Sequence, residues 1–204
     1  MKNKLITTLA VAALTGVAFA APQSFDFKDP KGVNTVTFKL DAPLEAIDGS
    51  ANGVGGSVEF DAANPAATTG KIAIAAESLT VPNPMMKEHM HGGQWLDVAK
   101  FKEITFEVKS LKNVKTQDNA TAADVTGSFT LHGVTKEITV PVKITYLKDK
   151  LSQRVPNQQG DLLVLRSTFT IKRTDYGINP GAPTDKVTDE IELKLSIAGA
   201  SPKK

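Results

Sequence analysis

The amino-acid sequence predicts an all-β fold of about eight antiparallel strands, and three observations support this prediction. From Gln23 onward, apolar and polar residues alternate with a period of two over most of the chain. This pattern is typical of strands that have one face in water and the other on an apolar interior. Clusters of Gly, Pro, Asn and Asp separate the alternating runs and indicate turns. Helical spacing of apolar residues occurs in one stretch, residues 84–91.

The first twenty residues are typical of a secretory signal peptide. Lys2 and Lys4 precede a short apolar run, and Ala18-Phe19-Ala20 supplies small residues at the cleavage positions. The run is too short to cross a bilayer comfortably, and no stop-transfer pattern follows it. We therefore expect cleavage of residues 1–20, a mature domain over residues 21–204 and no stable insertion into a membrane.

Composition excludes several classes of function. The 204 residues, 41% of them hydrophobic, fit one domain with a real core. The chain has no cysteine, which rules out disulfide scaffolds, thiolate metal sites and a thiol nucleophile. Without the two lysines of the leader, 22 basic residues stand against 22 acidic ones, and they are interspersed along the chain. The sequence therefore gives no reason to expect nucleic acid or another anionic partner.

Each strand can be justified from its own alternation. His132-Gly133 separates the patterns of residues 122–131 and 134–147 and predicts a tight hairpin. The polar segment 148–161 contains Pro156 and Gly160 and predicts a long loop. Six runs place their apolar residues on one side: Val36, Phe38 and Leu40; Val58 and Phe60; Ile104, Phe106 and Val108; Ile138, Val140, Val142, Ile144 and Tyr146; Leu163, Leu165, Phe169 and Ile171; Val187, Ile191, Leu193, Leu195 and Ile197.

One short helix interrupts the strands. Asn83 is a good N-cap, Pro84 suits the first helical position, and Gly92 and Gly93 end the segment. A helix inserted in an all-β chain usually covers or plugs something. Alternation does not distinguish a sandwich from a barrel, and large inward residues such as Phe38 and Phe169 could fill a core or line a cavity.

Catalytic motifs are absent, but one cluster could bind metal. The sequence has no G-x-S-x-G, P-loop or H-E-x-x-H motif, so we expect no enzymatic activity. Met and His side chains suit Cu(I), and five of them fall within seven residues. On a helix, however, His89 and His91 point to nearly opposite sides, and three Met on a short helix commonly contact a core. The five are Met85, Met86, His89, Met90 and His91.

Three ordered blocks, within residues 25–197, resemble the YceI-like family. The first is Glu88-His89-Met90 with Gln94-Trp95-Leu96-Asp97-Val98 and Ile104-Thr105-Phe106. The second runs from Gly127-Ser128-Phe129 through His132-Gly133-Val134 to Ile138-Thr139-Val140-Pro141-Val142. The third is Arg173-Thr174-Asp175-Tyr176-Gly177-Ile178 with Val187-Thr188-Asp189-Glu190-Ile191.

This resemblance implies an eight-stranded antiparallel lipocalin-like barrel with a short helix near residues 84–91. It implies a periplasmic protein, often a homodimer, that carries or stores a polyisoprenoid or similar amphipathic lipid, such as an isoprenoid quinone precursor. It brings no catalytic residues, and no cofactor is expected besides the bound lipid. A periplasmic copper-type protein and a solid structural domain remain alternatives.

Face alternation selects the residues expected around such a ligand. We expect a tunnel wall and a mouth near the helix, with the loops at residues 41–49 and 148–161 as further candidates for the mouth and His89 or Trp95 near the head group. Burial of apolar surface, at about 25 cal/mol per Å², would supply the affinity. The candidate ligand-binding residues are Phe38, Phe60, Ile74, Met85, Met86, His89, Met90, Trp95, Phe106, Phe129, Phe169, Ile191 and Leu193.

Overall fold

Ten strands form one antiparallel sheet that closes on itself in the computed structural model, which describes residues 22–203. The predicted signal peptide, residues 1–20, lies outside the described residues. Neighbours follow the order β1-β4-β5-β6-β7-β8-β9-β10, and β10 also pairs with β1, so the ring is complete. The strands are β1 (Gln23–Asp26), β2 (Thr35–Asp41), β3 (Ala46–Ala51), β4 (Val54–Phe60), β5 (Thr69–Ala75), β6 (Glu103–Gln117), β7 (Ala120–Leu131), β8 (Val134–Leu147), β9 (Gly160–Lys172) and β10 (Glu190–Pro202).

These ten strands occupy only eight positions around the barrel. β1 and β2 lie one after the other along the same edge of β10, with Asp26 opposite Ala200 and Thr35 opposite Ser196. Their partners on the other side, β4 and β3, follow each other in the chain after a two-residue break. The predicted eight-stranded antiparallel barrel is therefore confirmed.

A buried asparagine spans the interruption between β1 and β2. Asn34 Nδ2 donates to the carbonyl oxygen of Ala198 at 3.0 Å, and the Ala198 N–H donates to Asn34 Oδ1 at 2.9 Å. The side-chain amide therefore forms the two hydrogen bonds that a backbone residue would form with β10 at this point. Arg154 also donates to Asn34 Oδ1, and it forms a 2.9 Å ion pair with Asp29.

The helical segments are short and lie in the connections. The predicted helix is confirmed as α1 (Pro84–His91), and Asn83 caps it by accepting hydrogen bonds from the N–H groups of Met85 and Met86. α2 (Leu151–Arg154) and three single 3-10 turns, Pro65–Ala67, Ala76–Ser78 and Arg173–Tyr176, complete the set within residues 22–203. The predicted loop 148–161 thus contains α2, and β9 already begins at Gly160.

The hairpin between β7 and β8 is confirmed at the predicted turn. His132 and Gly133 both have positive φ, 52° and 73°, as a two-residue type I′ turn requires. A Cβ on Gly133 would lie 2.4 Å from a ring carbon of Phe101, so the turn also depends on glycine for space.

The connections divide into two ends of the barrel. The α1 end carries residues 42–45, 76–102, 132–133 and 173–189, and the opposite end carries residues 61–68, 118–119 and 148–159. The loop 148–161 therefore cannot share a mouth with α1, which corrects one sequence-based expectation. Most of residues 41–49 belong to β2 and β3, and only the short turn 42–45 lies at the α1 end.

Candidate ligand-binding cavity

The interior of the barrel contains an apolar cavity of about 230 Å³. Inward residues of the strands form its wall, and side chains from the segment 76–102 cover it at the α1 end. The polar residues in the wall are few: Thr68, Thr105, Ser167 and Arg173. Thr68 Oγ1 and Ser167 Oγ each donate to a backbone carbonyl, both at 2.6 Å. The barrel is thus not a filled core, and its wall offers an apolar ligand little competition from polar groups.

Seven of the eight predicted tunnel residues line this cavity. They are Phe38, Ile74, Phe106, Phe129, Phe169, Ile191 and Leu193. The eighth, Phe60, is buried outside the cavity wall, where its ring centroid lies 6.0 Å from that of Tyr146. Alternation placed Phe60 on the inner face, but its depth along the barrel puts it in the closed end.

The five predicted ligand-binding residues between positions 85 and 95 reach different places. Met90 and Trp95 line the cavity, and Met86 is half-buried against the core. Met85 is 67% exposed and His89 is exposed. The structure therefore brings two of these five side chains to the cavity.

The Met and His cluster does not converge on one point. His91 Nε2 lies 2.8 Å from the carbonyl oxygen of Leu79, where the ring anchors α1 to the preceding segment. Among residues 22–203, no group of three or more His, Asp or Glu side chains is placed to hold a metal ion.

Two glycines make room for aromatic rings in the cavity wall. A Cβ on Gly49 would lie 2.1 Å from a ring carbon of Phe38, and a Cβ on Gly127 would lie 2.5 Å from one of Phe106. Each ring therefore lies over a neighbouring strand, and the space in the middle of the barrel stays open. Sequence reasoning missed both glycines, although each stands at an inward position of a strand.

A buried arginine forms part of the wall at the α1 end, and sequence reasoning missed it as well. Arg173 is 1% exposed and lines the cavity. Its position could have been found, because it continues the inward alternation of Phe169 and Ile171. Its guanidinium donates to five carbonyl oxygens, those of Thr188, Ile178, Asn179, Ala182 and Val187.

All five N–H groups of this guanidinium are thus used within residues 173–189. The carbonyls surround the positive charge, and Arg173 is in no ion pair within the described part of the chain. Asp189 contributes a nearby negative charge. Burial alone would raise the pKa of Asp189, but hydrogen bonds from Thr174 and the charge of Arg173 lower it overall. Arg173 therefore holds the segment 177–189 over this end of the barrel.

The opposite end is closed by a buried carboxylate and an apolar plug. Asp161 accepts hydrogen bonds from Tyr146 Oη at 2.7 Å, the Asp149 N–H at 2.7 Å and Gln23 Nε2 at 3.1 Å. Burial alone would raise the pKa of Asp161, but these hydrogen bonds lower it overall. Burial and the bond to Asp161 raise the pKa of Tyr146 to about 12. Leu151 of α2 is fully buried beside them.

One part of the barrel wall lacks backbone pairing. The register between β8 and β9 runs from Leu147–Leu162 to Val142–Ser167, and beyond it residues 134–141 and 168–172 are not paired with each other. The carbonyl oxygen of Pro141 accepts a hydrogen bond from Ser167 Oγ on β9, so the backbone nitrogen of Pro141 also faces β9. A proline nitrogen has no hydrogen to donate, and Pro141 therefore cannot continue the pairing. We call this separation, between residues 134–141 and 168–172, the β8–β9 seam.

Residues 28–198 match the model of the YceI-like domain. The chain belongs to the YceI-like family. A UPF0312 protein of Pseudomonas paraeruginosa is 31% identical over 197 residues, which cover 94% of this chain and 96% of the relative. The resemblance noted in the sequence is thereby confirmed.

Solved structures share the YceI-like fold at low sequence identity. Burkholderia cenocepacia BcnA has a TM-score of 0.66 at 22% identity, over 81% of this chain and 95% of that chain. A polyisoprenoid binding domain from Saccharophagus degradans, implicated in plant cell wall breakdown, has a TM-score of 0.63 at 12% identity, over 89% and 99%. Membership in the YceI-like family favours a binding protein over an enzyme. No helix within residues 22–203 is long and apolar enough to span a membrane.

Proposed function

We propose that this protein binds a polyisoprenoid or similar amphipathic lipid, with the chain of the lipid inside the barrel. The apolar cavity carries this proposal, because its wall is built mostly from aliphatic and aromatic side chains, and the one charged side chain that lines it within residues 22–203 is the fully bonded Arg173. Membership in the YceI-like family and the polyisoprenoid binding domain among the structural neighbours support it.

The cavity must widen to take a long lipid. Its volume of about 230 Å³ is below the roughly 300–1,000 Å³ of typical ligand pockets. Met90 can change rotamer easily, whereas the rings of Phe38 and Phe106 already lie against the wall over Gly49 and Gly127. We therefore expect the bound lipid to displace Met90, while the two rings stay against the wall.

The polar head of the lipid belongs at the α1 end. The opposite end is filled by Leu151 and the hydrogen bonds of Asp161, whereas the α1 end presents Trp95 and the charge of Arg173 beside the cavity. A soluble carrier of this kind shields an apolar chain from water, which suits transport or storage in the periplasm after cleavage of residues 1–20.

Native mass spectrometry of protein purified from a periplasmic extract tests this function, because it reports the mass of any ligand and the oligomeric state together. We expect a stoichiometric isoprenoid lipid, which organic extraction should release. Val36 lines the cavity and Thr37, the next residue of β2, is exposed on the outer face. Val36→Trp should reduce the lipid content, and Thr37→Trp should not. Protein that carries no lipid, or a folded Val36→Trp variant with the lipid content of Thr37→Trp, would contradict the proposal.

A further inference from the structure

The folded barrel assembles a cationic surface that the sequence disperses. A depression of about 930 Å³ on the outer wall of β6–β10 is bordered by Lys115, Lys143, Arg166 and Lys194. Asp124 is the only acidic residue in its lining, and its carboxylate accepts a 2.6 Å hydrogen bond from Asn113. Four cations therefore face one carboxylate in a chain whose charges nearly balance overall. We call these four side chains the cationic wall.

Strand register explains how residues from distant parts of the chain meet here. Lys115 is opposite Ala122, Ala122 is opposite Lys143, and Lys143 is opposite Arg166. Since neighbouring strands lie about 4.8 Å apart, three cations stand in one row within roughly 15 Å. Lys194 lies on the adjoining strand β10, opposite Thr168.

The cationic wall is costly for the isolated protein. Like charges directly opposite each other on neighbouring strands, as Lys143 and Arg166 are, destabilise a sheet. All four side chains are exposed, and within residues 22–203 none of them is in an ion pair with an acidic residue. An anionic partner would remove this repulsion.

The composition of the surface around the cationic wall favours a bilayer as that partner. No aromatic side chain lines the depression, whereas protein interfaces are anchored by aromatic residues and single-stranded nucleic acid is held by stacking on them. Ala122, Thr168 and Ser196 supply a floor of small residues between the cations. The β8–β9 seam begins beside this surface, because Pro141 belongs to both.

We propose that the cationic wall docks the barrel on the surface of an anionic phospholipid bilayer, with the β8–β9 seam next to the membrane. Docking goes beyond the proposed lipid binding, since it requires no occupied cavity. Each Lys or Arg close to an anionic membrane surface strengthens binding by about fivefold. The interaction weakens with salt, because the screening length falls from about 10 Å at 0.1 M to about 3 Å at 1 M.

Co-sedimentation with vesicles tests the docking. We expect the full mature protein to bind vesicles that contain phosphatidylglycerol, to bind phosphatidylcholine vesicles much more weakly, and to dissociate in high salt. Equal binding to both kinds of vesicle, or binding that salt does not weaken, would overturn the proposal.

Paired variants locate the contact. Lys143→Gln/Arg166→Gln should weaken binding to phosphatidylglycerol vesicles by about 30-fold. Lys28→Gln/Lys71→Gln removes the same net charge from exposed positions elsewhere on the barrel and should leave most of the binding intact. If both double variants lost vesicle binding equally, binding would respond to net charge alone, and docking through the cationic wall would be refuted.

The same variants separate docking from lipid binding. Lipid supplied from detergent should load equally into wild type and Lys143→Gln/Arg166→Gln, because neither substitution touches the cavity. An empty cavity in wild type would contradict the proposed function and leave the vesicle result unaffected. The melting temperature of the lipid-free double variant should equal or exceed that of wild type, since one repulsion is removed.

Discussion

Arg173→Met removes a buried cation without removing the apolar part of the side chain. Wild-type Arg173 donates to five carbonyls, and the four hydrogen bonds of ordinary length measure 3.0–3.3 Å. A hydrogen bond from a charged group contributes about 1.5–3 kcal/mol net, so the five bonds together contribute roughly 7–15 kcal/mol. The cost of desolvating the guanidinium, several kcal/mol or more for a buried ion, offsets most of that sum. We expect the free energy of unfolding to fall by about 3 kcal/mol.

Urea unfolding measures this loss, with the fluorescence of Trp95, the single tryptophan of the chain, as a probe inside the barrel. Arg173→Lys keeps the charge but has three donors, so we expect an intermediate loss of about 1–2 kcal/mol. Arg166→Met, on the exposed face of β9, should change stability by less than about 0.5 kcal/mol. Hydrogen exchange should become faster within residues 177–189 in the Arg173 variants, because those carbonyls lose their common donor.

A loss below about 1 kcal/mol in Arg173→Met would refute the argument that this guanidinium organises the segment 177–189. Equal losses in Arg173→Met and Arg166→Met would also contradict it, since Arg166 is exposed and lacks the five carbonyl partners.

Three further predictions concern the closed end and the helix. Ultraviolet titration should show Tyr146 ionising near pH 12 rather than 10.0. The raised pKa of Tyr146 stabilises the folded protein below pH 10, and this stability is lost as the pH rises from 10 to about 12. Tyr146→Phe should abolish this pH-dependent loss. The lowered pKa of Asp161 contributes stability above its ordinary value of 3.8, and this stability is lost as the pH falls through the native pKa, so Asp161→Asn should flatten the acid limb of a stability–pH curve. Asn83→Ala should cost about 1 kcal/mol in urea unfolding, because the N–H groups of Met85 and Met86 lose their acceptor.

The elements that local chemistry determines could be predicted from the sequence. Alternation predicted the strands, His132-Gly133 predicted the hairpin, and Asn83-Pro84 predicted the start of α1. Each of these elements depends only on residues that are neighbours in the sequence. The depth of Phe60 could not be predicted, since alternation assigns a face and not a height along the barrel. The location of the loop 148–161 could have been derived: three antiparallel strands separate it from the α1 connection, so the two must lie at opposite ends.

The features that depend on strand register could not be predicted from the sequence. The cationic wall combines side chains from β6, β8, β9 and β10, and it exists only when Lys115, Lys143 and Arg166 fall into one row. In the sequence the same residues are separated by acidic and neutral ones and indicate a balanced surface. Arg173 was missed for a related reason, because its partners are backbone carbonyls, which no side-chain pattern reveals.

A part of the barrel wall without backbone pairing lies beside the proposed docking surface. Arg173 holds the α1 end, and Asp161 with Leu151 closes the other, so opening either end breaks several buried contacts. The β8–β9 seam lacks backbone hydrogen bonds and is crossed by the Lys136–Asp175 ion pair, 2.9 Å long with both side chains substantially exposed. Such a pair contributes only about 0–1 kcal/mol. A barrel docked through the cationic wall would therefore face the bilayer with the β8–β9 seam, which is held by side-chain contacts rather than by backbone hydrogen bonds.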